Sequence, residues 1–126
     1  MMARSQERIV WMPSPPLVPD SLPIDMAHLG RMTLGDNKLG HEVLAMFAAQ
    51  AADLTRRLAD MPVDAAALAH TLKGSASAIG AFQVADAAAD IEEAARQERG
   101  ADDAIKALQT AVAEARSAID AILKRS

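Results

Sequence analysis

At 126 residues the chain is the size of one ordinary domain, long enough to bury roughly two-thirds of its unfolded surface without a covalent staple. Thirteen Lys plus Arg against seventeen Asp plus Glu give a net charge of −4, which argues against broad electrostatic binding to nucleic acid or to an anionic membrane. The absence of cysteine removes disulfides, thiolate nucleophiles and Cys-based metal centres, and three aromatic residues (Trp11, Phe47, Phe82) are too few for a base-stacking platform.

Residues 1–23 hold five of the six prolines, Pro13, Pro15, Pro16, Pro19 and Pro23, so this stretch is read as an extended N-terminal extension outside any helix interior. It is either a tail or a strap anchored by Trp11. Arg4, Glu7 and Arg8 interrupt the start and the apolar Ile9–Met12 stops at Pro13, so no signal peptide is expected. No apolar run reaches the ~18 residues of a membrane span, and a cytoplasmic address is the expectation.

From residue 24 onward the pattern is helical. Alanine supplies 29 residues, and alanine both favours helix and lets helices approach closely. A short helix is expected over 25–32, with Met26, Leu29 and Met32 at helical spacing. Asp36 or Asn37 then caps a longer helix to about Ala59, whose stripe reads Leu39, Val43, Phe47, Ala51, Leu54 and Leu58 with Met46 on its flank. Pro62 suits a first helical position, which places a third helix from there to about Ile79, closed by Gly80. A fourth carries Val84, Ala88, Ile91 and Ala95 and ends at Gly100. The fifth opens near Asp102 and runs to about Leu123, with Ile105, Leu108, Val112, Ala115, Ile119 and Ile122 at the 3-4-3-4-3 spacing of a packed seam. The expected class is all-α: an antiparallel up-down-up-down four-helix bundle with a short N-terminal lid helix, over residues 24–126.

The third helix carries the chemistry. With Leu68 at zero, Leu72, Ala76 and Ile79 fall on one core stripe at about 100° per residue. By the same rotation His70 lies at about 200°, Ser77 at about 180°, Lys73 at about 140° and Gly74 at about 240°. These four share the face opposite the core. An imidazole offers a nucleophilic lone pair near neutral pH, Lys73 one turn away neutralises an anion on that ring, and Gly74 leaves space beside it for another surface. A glycine inside a helix costs about 1 kcal/mol relative to alanine, which this chain uses freely elsewhere. The combination fits a histidine that carries a phosphoryl group and is visited by a partner; a plainly solvated surface histidine is the alternative.

The run Ala69-His70-Thr71-Leu72-Lys73-Gly74-Ser75-Ala76-Ser77-Ala78-Ile79-Gly80-Ala81 resembles the signature of histidine phosphotransfer (HPt) domains. That signature reads His-x-Leu-Lys-Gly-Ser/Ala-Ser/Ala, followed by a hydrophobic residue and Gly-Ala. Val84, Ala88, Ile91 and Glu92 continue the family's spacing, and the resemblance covers about residues 25–124. It implies a phosphoryl carrier rather than an enzyme, with His70 as phosphoacceptor, Lys73 stabilising the phosphoryl oxygens and Gly74 giving access. Ser77 is a supporting residue. Glu92 falls where the family places a polar residue near the histidine; its carboxylate either sets the ring tautomer or is simply solvated. The resemblance further implies docking of response-regulator receiver domains over this helix, its neighbour and the lid, with Met26, Leu29, Met32 and Met46 as candidate apolar contacts; the alternative, above all for Met26 and Leu29, is burial under the lid. A sensor or hybrid histidine kinase is the other implied partner, the magnesium ion belongs to the receiver, and no cofactor is expected in this chain, which is read as a monomer.

Other constellations are weaker. His28, His41 and His70 have no metal-ligand spacing, and Asp86, Asp90, Glu92 and Glu93 lack the Glu-x-x-His pairs of a di-iron bundle. Ser75 and Ser77 near His70 do not make a hydrolase, because a continuous helix offers neither a strained turn nor an oxyanion hole. The rival from another class is a helical adaptor that binds a signalling protein without phosphoryl transfer.

Overall fold

The computed structural model describes residues 22–125, and the expectations for the proline-rich stretch and Trp11 lie outside the described residues. Five helices follow one another: α1 (Met26–Met32), α2 (Asn37–Leu58), α3 (Ala65–Ile79), α4 (Phe82–Arg96) and α5 (Asp102–Lys124). The described residues are all-helical, with no strand. Two of the helices open on aspartate caps. The carboxylate of Asp25 accepts from the backbone N–H of His28, and that of Asp36 accepts from Leu39, each at 3.0 Å. Asp102 and Asp103 place negative charge in the first turn of α5, where the helix dipole favours it.

The four long helices pack in a ring, α2 against α3, α3 against α4, α4 against α5 and α5 back against α2. Leu44, Leu72, Ile91, Leu108 and Ile119 are the large side chains at its centre. Ala51, Ala69, Ala76 and Ala88 are fully buried between them, where small side chains let neighbouring helices close without voids. The helix α1 lies across α2 and α3. Leu29 is buried beneath it, and His28 meets the ring of Phe82 edge to face at a centroid distance of 5.1 Å.

The link between α3 and α4 is only Gly80 and Ala81. Gly80 sits at φ +89°, and its N–H and that of Ala81 return to the carbonyls of Ser77 and Ala76. The Gly80 carbonyl in turn accepts from the Asp25 N–H at 2.9 Å. A Cβ on Gly80 would stand 2.8 Å from the Asp25 carbonyl oxygen, so glycine both makes the turn and admits the start of α1.

Three boundaries or faces differ from the sequence expectation. In α2 the buried stripe is Gly40, Leu44, Phe47, Ala51, Leu54 and Leu58, whereas Leu39 is exposed and Val43 only partly buried. The difference is confined to the first two turns of α2, where Gly40 lies against the side chains of Leu29 and Thr33; from Phe47 onward the stripe is the expected one. Helix α3 starts at Ala65 rather than Pro62, because Met61 adopts φ +46° and Ala65 N–H closes a turn onto the Pro62 carbonyl. Helix α4 ends at Arg96, before Gly100. Glu98 takes the left-handed conformation at φ +54°, and the N–H groups of Glu98 and Arg99 cap the carbonyls of Ala95 and Ala94.

Candidate functional site

The core stripe of α3 fixes where its other face points. With Ala65, Ala69, Leu72, Ala76 and Ile79 buried, His70 and Gly74 are exposed, and Lys73 and Ser77 are partly so. Nothing lies within 4 Å of a Cβ built on Gly74. The fold therefore does not require glycine there, and the space it leaves opens outward beside His70.

The neighbouring helix supplies the decisive group. Glu92 on α4 is 5% exposed, one of two polar residues buried among those described. His70 Nδ1 lies 3.0 Å from its Oε2, and Lys73 Nζ lies 2.9 Å from its Oε1. Arg96, one helical turn along α4, donates to Oε2 as well. The hydrogen bond from Lys73 holds the Glu92 carboxyl below its usual range; His70 and the Arg96 charge act in the same sense and outweigh the opposing effect of burial. Glu92 is thus ionised at neutral pH and can only accept. The Nδ1 atom must therefore carry the ring hydrogen, which leaves the lone pair of a neutral His70 on Nε2. The His70 side chain is 64% exposed, so this lone pair belongs to a ring open to approach.

Of the two readings of Glu92, simple solvation is set aside by its burial. Arg96 was not singled out from the sequence, although its position four residues after Glu92 on the same helix face was the available signal. Ser77 takes no part in the His70–Glu92 group among the described residues. Among the four apolar docking candidates, Met26, Met32 and Met46 are exposed. Leu29 is not: at 4% exposure it belongs to the core beneath α1 and corrects the expectation of a contact residue. Met46 also borders an apolar groove of about 370 Å³ between α2 and α3, with Val43, Phe47, Gln50, Ser75, Ala78 and Ile79. Asp86, Asp90 and Glu93 are exposed, and no cluster of metal-ligating side chains exists among the described residues. No helix among them is long and apolar enough to cross a membrane.

The exposed histidine ring, its buried carboxylate and the open face at Gly74 thus lie together where α3 meets α4. A family model described as the Hpt domain matches residues 42–122, a span that includes α3, α4, most of α2 and nearly all of α5. The chain belongs to the Hpt domain family. Among curated proteins and among solved structures no match is found.

Proposed function

We propose that the chain is a phosphorelay carrier in which His70 accepts a phosphoryl group on Nε2 and exchanges it with an aspartate of a response-regulator receiver domain. The observation that carries this reading is the bond between His70 Nδ1 and buried Glu92, which presents Nε2 as the nucleophile. The Nε2 lone pair attacks phosphorus, the bond to the donor aspartate oxygen breaks, and the carboxylate leaves; the reverse sequence returns the group. Lys73 keeps one ammonium hydrogen on Glu92 and has two more with which it stabilises the phosphoryl oxygens by charge-assisted hydrogen bonds. The receiver brings its own aspartate and magnesium ion, so catalysis is mainly positioning and charge neutralisation in the complex.

Gly74 admits the partner's loops to the ring, and Met26, Met32 and Met46 are the apolar contacts that frame the docking face. Methionine suits a surface that meets more than one receiver, since its unbranched side chain re-packs readily. In this reading the four long helices alternate in direction, as the short links between them favour, and the protein works as a monomer in the cytoplasm with a sensor or hybrid histidine kinase upstream.

The test needs no partner. The wild type and His70→Gln are treated with phosphoramidate and their intact masses compared under neutral conditions. One acid-labile phosphate on the wild type and none on the variant is the expected result. Equal labelling of both, or of neither, would overturn the assignment and favour a helical adaptor.

A further inference from the structure

An amide at position 92 would accept the same hydrogen bond from the ring, so the charge of Glu92 calls for its own explanation. The following rests on His70 as phosphoacceptor. Lys73 and Arg96 contribute two positive charges around the carboxylate, and a neutral ring adds none, so the resting group carries one net positive charge. When Nε2 forms its bond to phosphorus, the ring keeps the Nδ1 hydrogen and becomes positive, while the phosphoryl group brings two negative charges. The group is then neutral. Loss of the Nδ1 proton would leave it with one net negative charge. With glutamine at 92 the balance reverses, and the deprotonated phosphoimidazole becomes the neutral form.

Protonation decides whether the phosphoryl group leaves easily. As the N–P bond breaks, its electron pair returns to Nε2. From the protonated ring the leaving group is a neutral imidazole; from the deprotonated ring it is an imidazolide anion, a much poorer one. We propose that Glu92 is a positioning residue for the onward step, its charge retaining the Nδ1 proton on phosphorylated His70 and so keeping the phosphoryl group transferable.

The charged groups around the ring are few. Lys73 comes from the same helix, and Glu92 and Arg96 come from α4. Glu93 and Gln97 line the same cleft and bond one another. Among the described residues no side chain of α1 or α2 bonds to the ring. Lys73 and Arg96 act against retention of the proton, but both are held on the carboxylate, which alone touches Nδ1.

The experiment follows loss of phosphate from phosphoramidate-labelled wild type, Glu92→Gln and Glu92→Asp by intact mass from neutral to alkaline pH. Phosphate loss slows as the ring deprotonates. The midpoint of that slowing is expected about one pH unit or more lower in Glu92→Gln, the size of effect an opposite charge at this distance exerts, and to move back towards the wild type in Glu92→Asp. A second readout needs no variant: the ring ¹⁵N shifts of labelled wild type should report a retained Nδ1 proton at a pH where a phosphorylated histidine dipeptide has lost it. Superimposed profiles, or a wild-type ring that deprotonates together with the dipeptide, would overturn the proposal while leaving the phosphoacceptor assignment intact. Failure of the wild type to label at all would overturn both.

Discussion

A histidine on a helix surface is ordinarily a solvated ring, and what separates His70 from that default is the carboxylate behind it. His70 and Lys73 approach Glu92 from one helix and Arg96 from the next, so a buried charge is fully partnered while the ring stays exposed. Replacing His70 with Gln, whose amide N–H can still donate to Glu92, should cost no more than about 1.5 kcal/mol, the size of one hydrogen bond, while abolishing labelling; denaturant unfolding with mass analysis checks both. Gly74→Gln separates access from stability. Its Cβ meets nothing, and helix propensity favours the replacement by up to about 1 kcal/mol, so the melting temperature should hold or rise while transfer to a receiver falls. Transfer at the full rate would remove the steric role of the glycine. Glu92→Ala should cost about 1–3 kcal/mol in chemical denaturation, because it deletes the acceptor of three hydrogen bonds yet leaves behind cations that can still reach water.

At the scale of the element, the short connection between α3 and α4 does more than join them. It brings His70 and Glu92, twenty-two residues apart, to hydrogen-bond distance and also anchors α1 through the Gly80 carbonyl. Gly80→Ala combines a left-handed backbone with a close approach to Asp25, and should destabilise by about 2 kcal/mol or more, with amide exchange in α1 accelerating first. The helices were legible in the sequence because periodicity and caps coincide: Asp36 and Gly80 stand where the structure uses them, whereas the cap at Asp25 was not read. The rest was hidden by tertiary contacts. Leu39 and Leu44 both fit an apolar stripe on α2, and the structure buries Leu44 in the bundle core with Gly40 against Leu29. The ends near Pro62 and Gly100 misled because Met61 and Glu98, rather than glycines, take the left-handed conformation. His70, Lys73 and Gly74 could be placed on one face by counting along a single helix, whereas the burial of Glu92 and the part of Arg96 depend on a second helix.

The described residues form a small all-helical bundle whose stability comes from its apolar centre. Its outer ion pairs, such as Arg57–Asp53 and Lys124–Asp120, are exposed and contribute little. Leu72→Ala should cost about 2–5 kcal/mol, since the side chain is fully buried on the helix that carries the site. Glu92 couples this bundle to pH. Its pKa is lowered by folding, chiefly by Lys73, so its contribution is complete above the ordinary glutamate value of about 4.3 and is lost as pH falls through the lowered value. Wild-type stability should accordingly fall more steeply than that of Glu92→Gln as pH drops below about 4.3, and parallel acid profiles would contradict this. In the proposed carrier Glu92 occupies Nδ1 of His70 and leaves Nε2 to react. Long-range ¹H–¹⁵N and ³¹P NMR of the phosphorylated protein reads this directly: phosphorus on Nε2 of His70, with hydrogen retained on Nδ1 at neutral pH, is the predicted result, and phosphorus on Nδ1 or on any other residue would contradict it.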